Sequence, residues 1–291
     1  LDCVPSTGTI SVYRFDVLRK IGGFRKEALT EDADAGLRIY KAGYRGIYVA
    51  RLIGHGLMPY DLEAYRKQKW RWAFGNAQSI KTLFSLFGKI PFRSWFGFLL
   101  HLTAWDHMNF LPFAGLGAYV IAISPITPPI TEMHKHLLNV ASLSIFFTLA
   151  SKLVLFMTAF RHKKKPVSRS LRAFIVHMGM TFVYSEACMA LLFRTKSVFE
   201  RTNKFVLPKA PSILKNSYKE MLFGVWFLIG AVEAIILGRR SITVVAFFIA
   251  ALMLFSIYYV YWKIFPTKSQ SNKIFSDLEQ KYREFLPIVP L

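Results

Sequence analysis

The first 59 residues alternate short apolar stretches with charged turns, which is the pattern of a small α/β unit. Two stretches have the character of strands: GTISVYRF at 8–15, which alternates apolar and polar residues, and RGIYVA at 45–50. That period of two is typical of strands that bury one face. We therefore predict a strand over each stretch.

Two helices are predicted between these strands. DVLRKIGGF predicts a short helix that ends at its glycine pair, because glycine adopts the left-handed conformation that stops a helix. EDADAGLRIYKAG, from Glu31 to Gly43, predicts a second helix that stops at its last glycine. The helical spacing of its apolar residues places on one face Ala33, Leu37 and Tyr40.

The chain changes character over residues 60–93. The stretch from Tyr60 to Lys81 predicts an amphipathic helix that is dense in basic and aromatic residues, and this character continues to Pro91. Such helices suit a membrane surface, where rings and cations occupy the interface. We expect interfacial helices over 60–93.

Four later apolar stretches approach or exceed the roughly 20 residues that cross a hydrocarbon core about 30 Å thick. They cover 95–123, 137–160, 220–237 and 242–262. A fifth stretch, 171–193, contains His177 and Glu186, which are costly when they face lipid at the bilayer centre. We predict that 171–193 is a helix that lies flat on the inner membrane surface.

The basic residues between these stretches set the predicted topology, because cytoplasmic loops collect Lys and Arg. RHKKKPVSRSLR, at 161–172, has seven basic residues with His162 included and no acid, and 194–219 has seven Lys or Arg and one acid. Four crossings place both segments on the cytoplasmic side. We therefore predict a multi-pass plasma (inner) membrane protein with domains at 1–59, 60–93 and 94–263 and a cytoplasmic tail at 264–291.

Composition agrees with a membrane protein and argues against nucleic-acid binding. The chain is 53% hydrophobic and carries a net charge of +21, and its basic residues lie beside long apolar runs. The two cysteines, Cys3 and Cys188, are far apart and belong to no CxxC or Cys/His cluster. Neither a zinc site nor a disulfide framework is indicated.

Three carboxylates, Glu31, Asp32 and Asp34, lie within four positions after Thr30. One interpretation is a helix start, with Thr30 as the N-cap and the acids opposing the positive end of the helix dipole. The other is the reacting group of an enzyme. A calcium loop is excluded, because the alternating acids, central glycine and distal glutamate of an EF-hand are missing.

Two further motifs carry candidate chemistry. QKWRW, from Gln68 to Trp72, offers Arg71 for a phosphate or carboxylate and Trp72 for stacking on a sugar ring. FERTNK, which begins at Phe199, offers Thr202 and Lys204 for a nucleotide diphosphate. The alternatives are a helix that directs its cations to lipid headgroups and an ordinary basic loop.

The order of these motifs resembles the processive, membrane-embedded glycosyltransferases of family 2, the cellulose-synthase-like enzymes. The resemblance runs from GTISVYRF through TED and QxxRW to the apolar helices. It implies the C-terminal part of a GT-A domain, an α/β fold, followed by an α-helical multi-pass membrane domain with interfacial helices. Thr7-Gly8 occupies the place of a Cys-Gly pair that marks the acceptor end in related cellulose synthases.

The resemblance also implies residue roles. Asp32 would be the general base, positioned with the acceptor by Thr30 and Glu31. The acceptor site would be lined by Gln68, Arg71 and Trp72, with Arg71 also near the donor diphosphate. A gating loop within 194–218 would be formed by Phe199, Thr202 and Lys204, although Arg201 and Phe205 depart from the family's motif.

The family's donor half, with the D-x-D that holds Mg²⁺ or Mn²⁺, is expected before residue 1. We predict no metal site in this chain, since the D-x-D spacing of Asp32 and Asp34 belongs to the TED motif. Expected partners are a nucleotide sugar, a polysaccharide, the bilayer, and a missing N-terminal half or partner subunit. The chain alone is expected not to turn over a nucleotide sugar.

The predicted function is inverting transfer of a sugar, from UDP-glucose or UDP-N-acetylglucosamine, to a growing polysaccharide that is secreted as it grows. A non-processive transferase acting on a lipid-linked sugar is one alternative. A non-catalytic membrane scaffold or transporter is the other.

Overall fold

The computed structural model describes residues 3–6, 8, 10–49, 59, 62–104, 132–162, 164–192, 213–236, 238, 240–260 and 276–277. Within these residues the backbone forms nine helices. They are α1 (Phe15–Lys20), α2 (Glu31–Lys41), α3 (Leu62–Phe84), α4 (Phe92–Leu102), α5 (Glu132–His162), α6 (Val167–Met178), α7 (Thr181–Leu192), α8 (Ile213–Ile236) and α9 (Arg240–Tyr259).

The chain divides into two compact units. The first comprises Leu1–Leu57, Arg66–Phe110 and Thr181–Arg201. The second comprises Met58–Tyr65, Leu111–Met180 and Thr202–Leu291. The predicted catalytic and acceptor residues that the structure describes all fall in the first unit.

The core of the first unit forms on the predicted face of α2. The three apolar residues of that face are buried in one cluster with side chains from α3, α4 and the turn between them, namely Ala33, Leu37, Tyr40, Leu83, Leu86, Trp95, Phe98 and Leu102. The Tyr40 and Phe98 rings meet edge to face, with centroids 4.7 Å apart. Trp95 Nε1 donates to the carbonyl of Leu83 at 3.1 Å, which satisfies the buried indole.

Both helix ends predicted at glycines are confirmed. α1 stops just before Gly22 and Gly23, whose φ values are +80° and +71°. α2 is followed by Gly43 at φ +84°. Only a residue without Cβ adopts these left-handed conformations at little cost.

The strand predictions are wrong for the described parts of both stretches. Residues 10–14 and 45–49 contain no strand, and Val12 and Ile47 are 96% and 89% exposed. A strand needs a neighbour to pair its backbone N–H and C=O groups, and alternation along one segment does not provide one. Neither stretch pairs with another segment among the residues that the structure describes.

Small residues set the packing of α8 on α9 in the second unit. Four buried alanines, two on each helix, let the backbones approach closely: Ala231, Ala234, Ala246 and Ala250. At Gly224 of α8, an added Cβ would lie 2.9 Å from Leu254 Cδ2 of α9. The opposite faces of both helices carry large apolar residues that are exposed.

The predicted crossings correspond only in part to single helices. α5 contains 137–160, and α8 and α9 cover most of 220–237 and 242–262. α4 ends at Leu102, and 105–131, which holds the rest of the first crossing, lies outside the described residues. These crossings stay predictions.

The prediction of one helix over 171–193 is corrected, because the chain breaks there between α6 and α7. The break falls at Gly179, consistent with the poor helix propensity of glycine. Across the described part of the chain, no helix on its own has the length and apolar character to span a bilayer. Only α6 and α7, taken as a bent pair, meet those two criteria.

Candidate functional site

The site begins at the first turn of α2. Thr30 holds the predicted N-cap position, and Glu31 and Asp32 follow it near the positive end of the helix dipole. The Thr30 side chain, however, makes no hydrogen bond to the helix, so the capping bond expected at this position is absent. Its hydroxyl is buried and has no hydrogen-bond partner among the residues that the structure describes, and the side chain packs against α3.

The contact between α2 and α3 is made at Gly75. An added Cβ at this position would lie 2.6 Å from Thr30 Oγ1 and 2.7 Å from the Thr30 backbone nitrogen. One turn further along α3, Gln78 Oε1 accepts a hydrogen bond from the Leu29 backbone N–H at 3.1 Å. The missing side chain at Gly75 therefore lets α3 lie directly on the TED segment.

The QxxRW residues lie on the same side of α3. The spacing of three and four residues places on one helical face Gln68, Arg71, Trp72, Gly75 and Gln78. Burial lowers the pKa of Arg71, and the charge of Glu31 acts in the opposite direction and raises it. The guanidinium thus lies within electrostatic range of the TED acids, so the structure brings the two motifs together.

Lys69 is a residue of this site that the sequence interpretation missed. The sequence interpretation included it only in the alternative of a helix that directs its cations to lipid headgroups. In the structure its Nζ lies 4.3 Å from the centroid of the Trp72 ring. Burial lowers the pKa of Lys69 to about 8. The spacing of three residues on one helix was the available signal, since such residues are neighbours.

Asp32 is half-buried beneath the N-terminal segment. At Gly8, where φ is +70°, an added Cβ would lie 2.8 Å from Asp32 Oδ2. Burial raises the pKa of Asp32, the nearby charge of Glu31 raises it further, and the Ala33 backbone N–H opposes the rise. A carboxylate with a raised pKa is a stronger base than an ordinary aspartate.

Asp34 is held by an arginine rather than exposed at the helix start. Arg38 Nε donates to Asp34 Oδ2 at 2.7 Å, and both side chains are buried. The two terminal nitrogens of Arg38 donate to the carbonyls of Ile21 and Gly23 at 2.6 and 2.7 Å. This network ties α2 to the turn after α1.

The donor set of this chain does not fit a Mg²⁺ or Mn²⁺ site within the described residues. Those residues contain no group of three or more His, Cys, Asp or Glu that could hold a metal ion. Asp34 is committed to Arg38, so Asp32 and Asp34 do not act as a D-x-D pair. The predicted gating residues, Phe199, Thr202 and Lys204, lie outside the described residues.

Residues 1–193 match the family model described as glycosyl transferase family group 2. This chain therefore belongs to that family. The match covers the whole N-terminal portion that carries TED and QxxRW.

Individual relatives match shorter stretches. The cellulose synthase catalytic subunit [UDP-forming] of Pseudomonas fluorescens (strain SBW25) is 38% identical over 82 residues, which are 28% of this chain and 11% of that protein. The protein of the same name in Xanthomonas axonopodis pv. citri (strain 306) is 34% identical over 82 residues, again 28% of this chain and 11% of that protein. The probable glucomannan 4-beta-mannosyltransferase 6 of Oryza sativa subsp. japonica is 35% identical over 77 residues, 26% of this chain and 13% of that protein. The chain thus aligns with about a tenth of the length of these relatives.

Substituting Gly75→Ala should weaken the contact between α2 and α3. The new methyl group would meet backbone as well as side-chain atoms of Thr30, so we expect the free energy of unfolding to fall by about 1–3 kcal/mol. Unfolding of the chain followed by circular dichroism measures this change.

Gly36→Ala is the matched control, because an added Cβ there meets Ser6 at an ordinary 3.4 Å. It should be neutral or stabilise α2 by up to about 1 kcal/mol, since alanine favours helix. Equal effects of the two substitutions would contradict the proposed contact.

Asp32→Asn should not destabilise the chain at neutral pH. A raised folded-state pKa means that the charged carboxylate opposes folding above that pKa, and the penalty disappears as the pH falls toward the ordinary 3.8. The melting temperature of the variant should therefore equal or exceed that of the wild type at pH 7, with any advantage shrinking toward pH 4.

Asp16→Asn is the comparison, because its effect on stability at neutral pH should have the opposite sign. The hydrogen bond from Arg14 lowers the pKa of the exposed Asp16, so its carboxylate favours the folded state above pH 3.8. A marked loss of stability for Asp32→Asn at pH 7 would show that Asp32 supports folding instead.

Proposed function

We propose that this chain forms the acceptor side of an inverting glycosyltransferase that extends a polysaccharide, with Asp32 as the general base. The observation that carries the proposal is the position of Asp32, half-buried at the start of α2 with a raised pKa, beside the face of α3 that bears QxxRW. The family membership and the names of the relatives support the same chemistry.

The proposed reaction is a single displacement. The Asp32 carboxylate takes the proton of an acceptor hydroxyl while that oxygen attacks the anomeric carbon of the donor. The bond from this carbon to the diphosphate oxygen breaks, and the nucleoside diphosphate leaves with the bonding electrons. Attack from the face opposite the leaving group inverts the anomeric centre. Thr30 and Glu31 position the base and the acceptor.

The donor in this proposal is UDP-glucose or UDP-N-acetylglucosamine. The names of the Pseudomonas and Xanthomonas relatives describe those proteins as UDP-forming, which supports a uridine nucleotide here. A Mg²⁺ or Mn²⁺ ion, held outside the described residues, would neutralise the diphosphate. Phe199, Thr202 and Lys204 would close over the nucleotide as a gating loop.

The face of α3 binds the acceptor in this proposal. Trp72 supplies an apolar ring for a sugar, Gln68 supplies hydrogen bonds, and Arg71 supplies a charge-assisted donor close to Glu31. Lys69 lies over the Trp72 ring and restrains its orientation through a cation–π contact. A ring held in this way can accept each successive sugar of a repeating chain.

The membrane placement rests on exposed apolar surface. In the second unit, large apolar side chains are exposed on three long helices, as for Phe146, Phe147, Leu222, Ile235, Val244 and Phe247. Contiguous surfaces of this kind mark a membrane or protein contact. We propose that these helices, together with the apolar stretches predicted around them, embed the second unit in the plasma (inner) membrane. The polymer would be secreted through this domain, with the catalytic part and C-terminus cytoplasmic.

An aromatic surface supports the proposed interfacial position of 60–93. In the first unit, Phe84, Phe87 and Phe92 are exposed around the buried Trp95, with ring centroids 5.1–6.1 Å from the Trp95 ring. Lys89 is exposed in the same turn. Rings beside cations are the composition of a membrane interface.

Asp32→Asn in the complete gene product should lower the sugar-transfer rate by about 10²- to 10⁴-fold, the usual contribution of a general base. Incorporation of radiolabelled sugar by membranes that express the variant measures the rate. Asp16→Asn, an exposed aspartate on α1, should leave it unchanged. Normal synthesis by the Asp32 variant at normal expression would favour the scaffold or transporter interpretation.

Trp72→Ala should shorten the polymer. Loss of a ring contact worth about 0.5–1.5 kcal/mol weakens acceptor retention by about two- to tenfold, so chains should dissociate earlier. Sizing the products by gel filtration measures the change, and Trp72→Phe should restore much of the length. Single-sugar products from the wild type would instead identify a non-processive transferase.

A further inference from the structure

The junction of α5 and α6 carries a concentrated positive charge. Five exposed basic residues lie within twelve positions, and we call them the basic turn: Arg161, Lys164, Lys165, Arg169 and Arg172. The sequence contains no Asp or Glu between Glu132 and Glu186. The charge of the basic turn is therefore not offset by neighbouring acids along the chain.

These cations also have no carboxylate partner in space among the described residues. Within the described residues, no ion pair joins any member of the basic turn to an acid. Arginines of the first unit differ, since Arg14 pairs with Asp16 and Arg38 pairs with Asp34. The basic turn thus presents positive charge that an external anion can neutralise.

The backbone at the basic turn adds to the attraction for anions. Tight hydrogen bonds close the turn, from the backbone N–H of Lys164 to Arg161 and from that of Lys165 to Phe160, both at 2.9 Å. α6 then begins after Pro166 with no acid in its first turn and no side-chain cap. The positive end of its dipole consequently lies beside the cations.

Apolar side chains adjoin the basic turn on both sides. Val154 and Leu155 are 60% and 58% exposed on α5 just before it, and Val167 and Leu171 are exposed on α6 among its arginines. The other face of α6 is buried. The surface therefore changes from exposed apolar groups to exposed cations within two helical turns, which matches the acyl chains and the phosphate of a lipid.

We propose that the basic turn binds the headgroups of anionic phospholipids, with Val167 and Leu171 inserted among the adjoining acyl chains. The proposal rests on the membrane placement of the second unit given above. A soluble nucleotide or inorganic phosphate would use the cations but leave the apolar side chains in water. The combined surface therefore favours lipid.

The test compares lipid binding by two variants with the same number and type of changes. One is Lys164→Gln/Lys165→Gln/Arg172→Gln, in the basic turn. The other is Arg19→Gln/Lys26→Gln/Lys41→Gln, at exposed positions of the first unit. Each full chain is purified in a neutral detergent, titrated with phosphatidylglycerol or phosphatidylcholine, and assayed by native mass spectrometry for the affinity of the first bound lipids.

We expect the wild type and the first-unit variant to prefer phosphatidylglycerol. Each basic residue near an anionic surface contributes about 1 kcal/mol, or about fivefold, so the basic-turn variant should bind this lipid at least about tenfold more weakly. Binding of phosphatidylcholine should not change. The charge-conserving variant Lys164→Arg/Lys165→Arg/Arg172→Lys should keep the preference, which separates charge loss from misfolding.

Equal affinity for the two lipids, or equal loss in both triple-glutamine variants, would overturn the proposal. Competition by millimolar inorganic phosphate or UDP that displaces the lipid completely would identify a soluble-anion site instead. Flotation of the chain with pure phosphatidylcholine vesicles tests the membrane placement separately. None of these readouts depends on sugar transfer, so failure of the catalytic proposal leaves them interpretable.

Discussion

The close approach of α3 to the start of α2 is the constraint on which the candidate site depends. It requires that position 75 carry no side chain, because even one methyl group would overlap the backbone of Thr30. Because the two helices touch there, helical spacing alone places Trp72, Arg71 and Gln68 on the same face of α3. The acids and the QxxRW motif, 36 residues apart between Asp32 and Gln68, thereby become parts of one surface.

Two aspartates two positions apart acquire opposite properties from their surroundings. Arg38 neutralises Asp34 and ties it to the turn after α1, so this carboxylate is structural. No such cation is bound to Asp32 in the described structure. Burial is the largest influence on its pKa and raises it, and the charge of Glu31 adds a smaller effect in the same direction. The role of general base is therefore proposed for the carboxylate that has no cation partner among the described residues.

The parts of this structure that could be predicted from sequence are those that local patterns determine. Glycine stops predicted the C-terminal ends of α1 and α2, and the 3.6-residue period predicted the buried face of α2. Two features that failed depend on partners elsewhere in the chain: strands need a ladder, and the Thr30 hydroxyl was expected to cap but is covered by α3. The pairing of Asp34 with Arg38 is local, four residues apart on α2, but the sequence interpretation did not consider it. The contact between Lys69 and Trp72 is also local, since the two residues are three positions apart on α3. The sequence interpretation considered this lysine only as a cation directed to lipid headgroups.

The contact at Gly75 also has a mechanical consequence. Trp72 lies three residues before Gly75, a rise of about 4.5 Å along the helix, so less than one turn of α3 separates Trp72 from the contact. A movement of the Trp72 backbone relative to the Thr30 backbone therefore requires a change of shape within that one turn of α3 or a loss of the contact at Gly75. If Trp72 binds the acceptor as proposed, the distance between the acceptor ring and the start of α2, where Asp32 lies, stays nearly constant.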